Sequence, residues 1–555
     1  MELHAGIWMW VVSVVPLALL LFLMVLRRWG AAESGVLGWL ATALIALFVF
    51  RLPVEAVGME TVKGVVESVT IVYIVLAAIL IYEVANHAQA FDPFQRGMTR
   101  IFSHPLLQVM VIGWVFAGFL QGITGFGVPV AVCAPLLVGL GVRPAYAVVV
   151  ALLGQAWNNT FGTLGAAWLG LEQVTSLSAA QKGATALQTS MLLAVLTVAG
   201  GLTMCWLYGK WRGLWEGLPA VVVISLAQAG VTLALAQWNP TLNGFAGGLL
   251  ALVIVPALAK LPMYRRPTRV SNSPMFQQGS GTSRSDGGVP ESSAPGPGGM
   301  REEGPPTAVR GQAATMTLNT AFIPYYTLLA VTITVLMVPP LTDVLSKPTI
   351  TLDFPAVMTG LGFETASSSE QFVFLTHAGT LLLITAAISY FAYRRKGYLA
   401  YGAWRGILSN TVEKSIAPTI AVITLVGMAA VMQASGQANV LATQVAAWTG
   451  GVYVLLAPFI GVFGSFITGS NMSSNLLFGS FQETTANAAH LSTSGVLSAQ
   501  TAGAATGTVM SPSKILLGTT TAGIAGQEGQ VLRRTLPFTL VVTVILGLAT
   551  LAFLV

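Results

Sequence analysis

Gln121-Gly122-Ile123-Thr124-Gly125-Phe126-Gly127-Val128-Pro129 follows an apolar run of membrane-spanning length, Leu106–Leu120, and its reading decides the fold. Gly122, Gly125 and Gly127 disfavour a continuous helix and permit close backbone approach. Pro129 suits the first turn of a new helix. A helix that stops and restarts leaves unpaired N–H groups at the restart, and these, with the helix dipole, favour a carboxylate. The same glycines also describe a packing seam between helices. Spacing alone leaves both readings standing.

Outward from this stretch the chain is apolar almost throughout. Of 555 residues, 54% are hydrophobic and 8% charged, against about 25% charged in soluble proteins, so a soluble fold could not cover its surface. Runs of spanning length recur, from Ile7–Leu26, Val36–Phe50 and Val65–Tyr82 to Phe372–Tyr393, Ile416–Met432, Val452–Ile467 and Leu536–Leu554. They predict an all-α polytopic membrane protein with about twelve to fourteen transmembrane helices plus re-entrant or broken pieces. None alternates polar and apolar as barrel strands do. Ile7–Leu26 carries its basic pair, Arg27-Arg28, behind it, which reads as a retained first helix and not a cleaved signal.

Basic residues orient the spans. Arg27-Arg28, Arg96 and Arg100, Lys210 and Arg212, Arg265, Arg266 and Arg269, Arg394-Arg395-Lys396 and Arg533-Arg534 fall on one side if Leu106–Leu169 crosses an odd number of times. The loop Thr342–Gln371 holds Asp343, Asp353, Glu364 and Glu370 against Lys347 alone. The expectation is a multi-pass inner-membrane protein with its N-terminus outside. The formal charge of +6 then reflects cytoplasmic loops, and no nucleic-acid partner is implied. Tyr264–Thr317 is rich in Gly, Ser and Pro and reads as a disordered cytoplasmic linker. It divides the chain into an N-terminal transmembrane half, 1–263, and a C-terminal half, 318–555.

A second motif, Thr468-Gly469-Ser470-Asn471-Met472-Ser473-Ser474-Asn475, also ends a span. So many polar groups are costly in hydrocarbon unless they line a cavity or bond internally, and cavity lining is the favoured reading. The two motifs hint at a repeat, since Phe119-Leu120-Gln121-Gly122 matches Phe466-Ile467-Thr468-Gly469 in character. A further polar cluster follows each, Asn158-Asn159-Thr160 and Thr506-Gly507-Thr508, with Ser511 just beyond. Gly-interrupted segments at matching places in two halves point to a transporter binding site.

Lys514 lies among small and apolar residues, and an ionisable group in a span is a functional candidate. Glu413 is a second candidate for coupling, while Glu83, His87, Lys414, Glu483 and His377 read as structural or interfacial. Cys133 and Cys205 read as small buried hydrophobes. The five histidines form no HExxH motif or metal cluster and no Walker motif is present. No enzyme, cofactor, metal or ATP-driven pump is therefore expected, and the long two-halved chain argues against a channel.

Gly122-Ile-Thr-Gly-Phe-Gly-Val-Pro-Val-Ala131, Leu137-Val-Gly-Leu-Gly141, Trp211-Arg-Gly213, Pro219-Ala-Val-Val-Val223, Thr468-Gly-Ser470, Ser473-Ser-Asn475 and Ser511-Pro512 resemble the L-lactate permease family, in order along nearly the whole chain outside the linker. The resemblance implies secondary transport of lactate, glycolate and related 2-hydroxy-monocarboxylates, usually with protons. It also implies an ion-transporter-type fold of two inverted repeats with helical hairpins. The expected substrate site comprises Gln121, Gly122, Thr124, Gly125, Phe126 and Gly127 from the first break and Asn158, Asn159 and Thr160 after it. From the second half come Gly469, Ser470, Asn471, Ser473, Ser474 and Asn475, with Thr506 and Ser511. Family members commonly carry acids where this chain has Gln121 and Asn471, and Lys where it has Thr508. The alternatives are therefore a different small anion such as a sulfonate, and sodium-coupled or uncoupled transport.

Overall fold

A computed structural model describes residues 7–27, 29–91, 93, 97, 101–125, 127–265, 273–276, 316–337, 339–365 and 367–553. Phe126, Arg28, Arg96, Arg100, Arg266, Arg269 and most of the expected linker lie outside them. Among the described residues nine helices are long and apolar enough to cross a membrane. The protein is a multi-pass, all-α membrane protein.

The N-terminal half opens with α1 (Ile7–Val25), α2 (Ala31–Phe48) and α3 (Val54–His87). There follow α4 (Pro105–Ile123), with a π-helical stretch at Val111–Phe116, then α5 (Val128–Gly139), α6 (Pro144–Ala156) and α7 (Gly162–Gln173). α8 (Ala179–Leu235) is two spans joined at Gly209–Lys210, where the dihedral angles leave the helical region. α9 (Pro240–Leu258) and the short α10 (Pro262–Arg265) close this half. The second half runs α11 (Leu318–Ala321), α12 (Ile323–Met337), α13 (Pro339–Leu345), α14 (Ala378–Arg395), α15 (Ala403–Ser435) and α16 (Gln437–Thr449). It ends with α17 (Tyr453–Thr468), α18 (Asn471–Ala488), α19 (Thr493–Gly507), α20 (Pro512–Thr521) and α21 (Glu528–Phe553).

Two elements repeat. α4 stops at Thr124, Gly125 and Gly127 take left-handed φ of 57° and 87°, and α5 packs back on α4. α6 then ends at Ala156, and Thr163, Leu164 and Gly165 are all left-handed before α7 continues. In the second half Gly469, at φ 78°, ends α17, and α18 packs back on it. α19 gives way to a 3₁₀ turn, Thr508–Met510, before α20. Each half thus holds a hairpin broken at its tip, then a span broken near its middle. After α7 the chain crosses six times before α17, twice in α8 and once each in α9, α12, α14 and α15, so the second unit enters from the face at which the first one left and the repeats are inverted. Small residues let the broken pieces approach: a Cβ on Gly154 of α6 would lie 1.8 Å from Gly113 O of α4, and one on Gly503 of α19 2.1 Å from Pro458 O of α17.

Counted this way there are about twelve crossings, and Arg27, Lys210, Arg265, Arg394 and Arg533 fall on one face. The acidic loop on the other face folds into small antiparallel hairpins, β1 (Thr349–Phe354) with β4 (Ser368–Val373) and β2 (Val357–Met358) with β3 (Glu364–Thr365). It rests on α3, where the Tyr73 ring stacks on Phe374 and His377. His377 caps α14, its Nδ1 accepting from Gly379 N at 3.2 Å.

The expectation of disorder across 264–317 does not hold at Ser273–Phe276. Met275 and Phe276 are buried. Phe276 bridges Val142 in antiparallel fashion. Arg143 donates from its backbone N to Met275 O (2.7 Å) and from Nε to Phe276 O (3.1 Å), and Ser273 Oγ donates to Tyr208 O (2.6 Å). Composition hid these four residues because an anchor this short barely shifts the average of the polar stretch around it. Deleting 285–304, which about halves the stretch between Phe276 and Met316, is expected to leave the apparent melting temperature in detergent close to that of the full chain, since loop closure changes by only about 0.6 kcal/mol per doubling of length. Extending the deletion through Ser273 removes two buried apolar side chains, each contributing about 1.5–3 kcal/mol, and lowers it by a few degrees in the same thermal-shift measurement.

Candidate functional site

All four breaks of the repeats reach one cavity of about 420 Å³, within the usual range of about 300–1,000 Å³ for small-molecule sites. Gln121 and Gly127 enter its wall from the first hairpin, Asn159, Gly162 and Thr163 from the first broken span, Thr468 to Ser473 from the second hairpin, and Ser513 and Lys514 from the second broken span. The remaining wall comes from Gly30–Glu33, where α2 begins, and from Ala417, Pro418 and Ala421 of α15.

Freed backbone and polar groups at the breaks are bonded across the repeats. Asn158 Nδ2 donates to Gly118 O (2.8 Å) and Gly244 O (2.9 Å), tying the first broken span to α4 and α9. Asn471 Nδ2 donates to Thr160 Oγ1 (2.9 Å), and the Thr160 hydroxyl lies 3.2 Å from that of Thr501. Asn475 Nδ2 donates to Ala167 O (2.9 Å) and Thr501 Oγ1 (2.8 Å). Asn159 Nδ2 donates to Thr508 Oγ1 (2.9 Å), while its Oδ1 accepts from Lys514 Nζ (3.2 Å). One amide thus links Thr508 to the Lys514 ammonium.

The wall is electropositive for two reasons. Several helices begin there: α5 after Gly127, the regular turns of α7 at Ala166, α18 at Asn471, α20 at Pro512 and α2 at Ala31. Each N-terminus carries a partial positive charge, which favours an anion by roughly 0.3–1 kcal/mol. Lys514 is 7% exposed and, among the described residues, has no ion-pair partner. Removing an ammonium from water costs several kcal/mol unless an anion or enough acceptors meet it. Its only acid neighbour on the wall, among the described residues, is Glu33 at the exposed start of α2. Gln121 is buried, and its Oε1 meets no hydrogen-bond donor among the described residues.

Of the residues expected at the site, Gln121, Gly127, Asn159, Gly469, Ser470, Asn471, Ser473 and Lys514 line the cavity. Others stand behind the wall. Gly122 packs on Phe245 of α9, where the seam reading of the motif holds. Gly125 meets Thr163, and a Cβ there would lie 2.0 Å from its Oγ1. Thr124 and Thr506 bond back to Leu120 O and Ala502 O. Ser474 donates to Gly461 O, and Ser511 pairs with Ser513. Asn158, Thr160 and Asn475 form the joints already described, and Phe126 lies outside the described residues. Glu413 is exposed on α15 and does not reach the cavity. Beside it, buried Glu83 of α3 accepts from Lys414 Nζ (2.5 Å) and Asn410 Nδ2 (3.1 Å), a bond between α3 and α15.

Sequence reading missed the walls supplied by α2 and α15. The only signals there are Gly30-Ala31-Ala32 at a helix start and Pro418 inside a helix. Neither stands out among so many Gly, Ala and Pro residues.

The fold and cavity define a multi-pass membrane protein built on inverted broken-helix repeats. A sequence model of the family described as L-lactate permease matches residues 9–555, and the chain belongs to the L-lactate permease family. It is 28% identical to the glycolate permease GlcA of Escherichia coli strain K12 over 97% of this chain and 94% of that one. It is also 28% identical to the L-lactate permease of Salmonella typhimurium, over 91% of this chain and 88% of that one. The L-lactate permease of Bacillus subtilis strain 168 is 26% identical over 97% of this chain and 94% of its own. Among solved structures, the YdaH transporter of Alcanivorax borkumensis is similar with a TM-score of 0.49 at 14% identity, covering 94% of this chain and 98% of that one.

Asn475 separates a joint from a contact. Asn475→Ala leaves Ala167 O and the Thr501 hydroxyl without their buried donor, at a cost of about 1–3 kcal/mol. The expected result is a lower melting temperature and less protein in the membrane, with the apparent affinity of the surviving protein close to wild type. A large affinity change at unaltered stability would put Asn475 in contact with the ligand.

Proposed function

We propose that this chain imports a small 2-hydroxy-monocarboxylate, L-lactate or glycolate with D-lactate a further possibility, across the inner membrane by proton symport. The observation carrying this reading is the Lys514 ammonium, which lines the cavity without an ion-pair partner among the described residues, with Gln121, whose Oε1 accepts no hydrogen bond among them, on the same wall. A 2-hydroxy acid offers a carboxylate to the first and a hydroxyl proton to the second. A sulfonate would answer Lys514 but leave Gln121 Oε1 without a donor. The names of the relatives, lactate and glycolate permeases, agree with this choice of substrate.

In this reading Gly127, Asn159, Ser470, Asn471 and Ser473 line the substrate's path, and the hairpins alternately open the cavity to either face. The basic face is the cytoplasmic one by the positive-inside rule, so the N-terminus and the β-hairpin loop face outward. Residues 1–263 and 318–555 are the two transmembrane halves, and the stretch between Phe276 and Met316 is a linker.

Coupling follows from the charge. A carboxylic acid of pKa about 4 is an anion at pH 7. Bringing one negative charge in against 100 mV costs about 2.3 kcal/mol. An uncoupled anion would then sit roughly fifty-fold lower inside than outside, so accumulation requires a co-transported cation. Gln121 and Asn471 cannot titrate. Lys514 and Glu33 are the ionisable groups on the described wall.

Uptake of radiolabelled L-lactate into proteoliposomes tests the reading. Uptake should rise as external pH is stepped from about 8 to about 5.5 at fixed sodium, a range over which the outside proton concentration grows roughly three-hundredfold while a carboxylic acid of pKa about 4 stays an anion. Lys514→Met should raise KM by about tenfold or more, given that buried charged contacts contribute about 1.5–3 kcal/mol. Gln121→Leu should reduce the preference for lactate over propionate about fivefold, the equivalent of one ordinary hydrogen bond. Unchanged KM in Lys514→Met would end the proposal. Drive by a sodium gradient at constant pH would replace the proton with sodium.

A further inference from the structure

The turn in the middle of α8 forms a groove that the cavity does not use. Gly209 (φ −156°, ψ 22°) and left-handed Lys210 (φ 53°, ψ −135°) fold the chain between its two spans. An apolar space of about 440 Å³ opens there, walled by Leu202, Thr203 and Trp206 on one arm and by Trp211, Leu214 and Trp215 on the other. Trp211 and Trp215 are 71% and 74% exposed. Trp206 and Trp211 meet edge to face at 5.5 Å.

Cations stand at the mouth of this groove. Lys210 Nζ lies 4.9 Å over the Trp206 ring. The Arg212 side chain is 76% exposed, and its Nε is 3.8 Å from Glu216 Oε1, an exposed pair of the kind that holds its partners weakly. Tyr264 donates its hydroxyl to Glu216 O (2.7 Å), which brings α10 and its Arg265 alongside. The turn joins two membrane-spanning arms, so it lies at the boundary between hydrocarbon and water. Indoles settle at that level, and nearby lysines and arginines attract anionic headgroups.

We propose that the α8 groove is a binding site for an anionic glycerophospholipid. An acyl chain lies along Trp206, Trp211 and Trp215, and the phosphate is held by Lys210 and Arg212. Charge complementarity selects this occupant. A zwitterionic lipid could fill the apolar wall equally well, but its own ammonium would compete for the phosphate. An apolar helix of a second copy would add no anion to either cation, leaving Arg212 its weak contact with Glu216 and Lys210 the Trp206 ring.

Native mass spectrometry of the purified, delipidated full chain tests this, with dioleoyl phosphatidylglycerol or dioleoyl phosphatidylcholine added. Phosphatidylglycerol should be retained in preference. Lys210→Gln and Arg212→Gln should each weaken its retention, by up to about fivefold per charge removed, and leave phosphatidylcholine unchanged. Trp211→Ala with Trp215→Ala should weaken both lipids. All four side chains are exposed, and a monodisperse gel-filtration peak checks that each variant is folded. Equal retention of the two lipids by the wild type, or undiminished phosphatidylglycerol on the charge variants, would overturn the site. So would a dimer in the same spectra that the tryptophan variants dissolve, because that assigns the groove to a second copy.

Discussion

A peptide group inside a bilayer must find its hydrogen-bond partner within the protein, and this fold breaks helices where that demand is hardest to meet. The breaks survive because side-chain amides and hydroxyls replace the missing backbone partners. Asn158 serves carbonyls of α4 and α9, and Asn475 serves the Ala167 carbonyl. Asn471, Thr160 and Thr501 close the contact between the two repeats. Left-handed Thr163 and Leu164 are strained, by about 1–2 kcal/mol per residue, and are held by packing from both sides. Their position beside the cavity suits a site where the backbone itself faces the ligand.

The same constraint explains why the cavity favours an anion. Each restarted helix points its N-terminus at the cavity, because the broken ends of inverted repeats converge from opposite faces. Lys514 adds a full charge that no carboxylate among the described residues neutralises. Asn159 stands between Thr508 and Lys514, donating to the hydroxyl and accepting from the ammonium, and so ties the first broken span to the second. Opposite lies a different surface, the smooth wall of α2 and α15, which contributes mainly small residues and Pro418.

Much of this was legible because its signals are local. Glycines beside a proline at 122–129 and a polar octet at 468–475 announce interrupted helices wherever they occur in an apolar chain. Lys514 stood out as a charge inside a span. What the sequence could not separate was wall from joint. Asn471 lines the cavity and Asn475, one turn on, faces Thr501 and Ala167. That choice depends on helix rotation set by tertiary packing. Glu413 misled for a related reason, since its neighbour Lys414 turns inward to Glu83 while Glu413 itself stays exposed. The Ser273–Phe276 anchor and the small β-hairpins depend on distant partners, Val142 and Arg143 in one case and Tyr73 in the other, which no local pattern reveals.

The central claim is that both repeats face one bound anion. Cys133 and Cys205 are buried, so single cysteines can be placed at Ala166 in the first repeat, Ser513 in the second and Thr443 on the exposed side of α16. The decisive measurement is the rate at which a water-soluble methanethiosulfonate modifies each, with and without saturating L-lactate. The account predicts that lactate slows modification severalfold at positions 166 and 513 and leaves position 443 unchanged. Protection at neither cavity position, or equal slowing at all three, would contradict it.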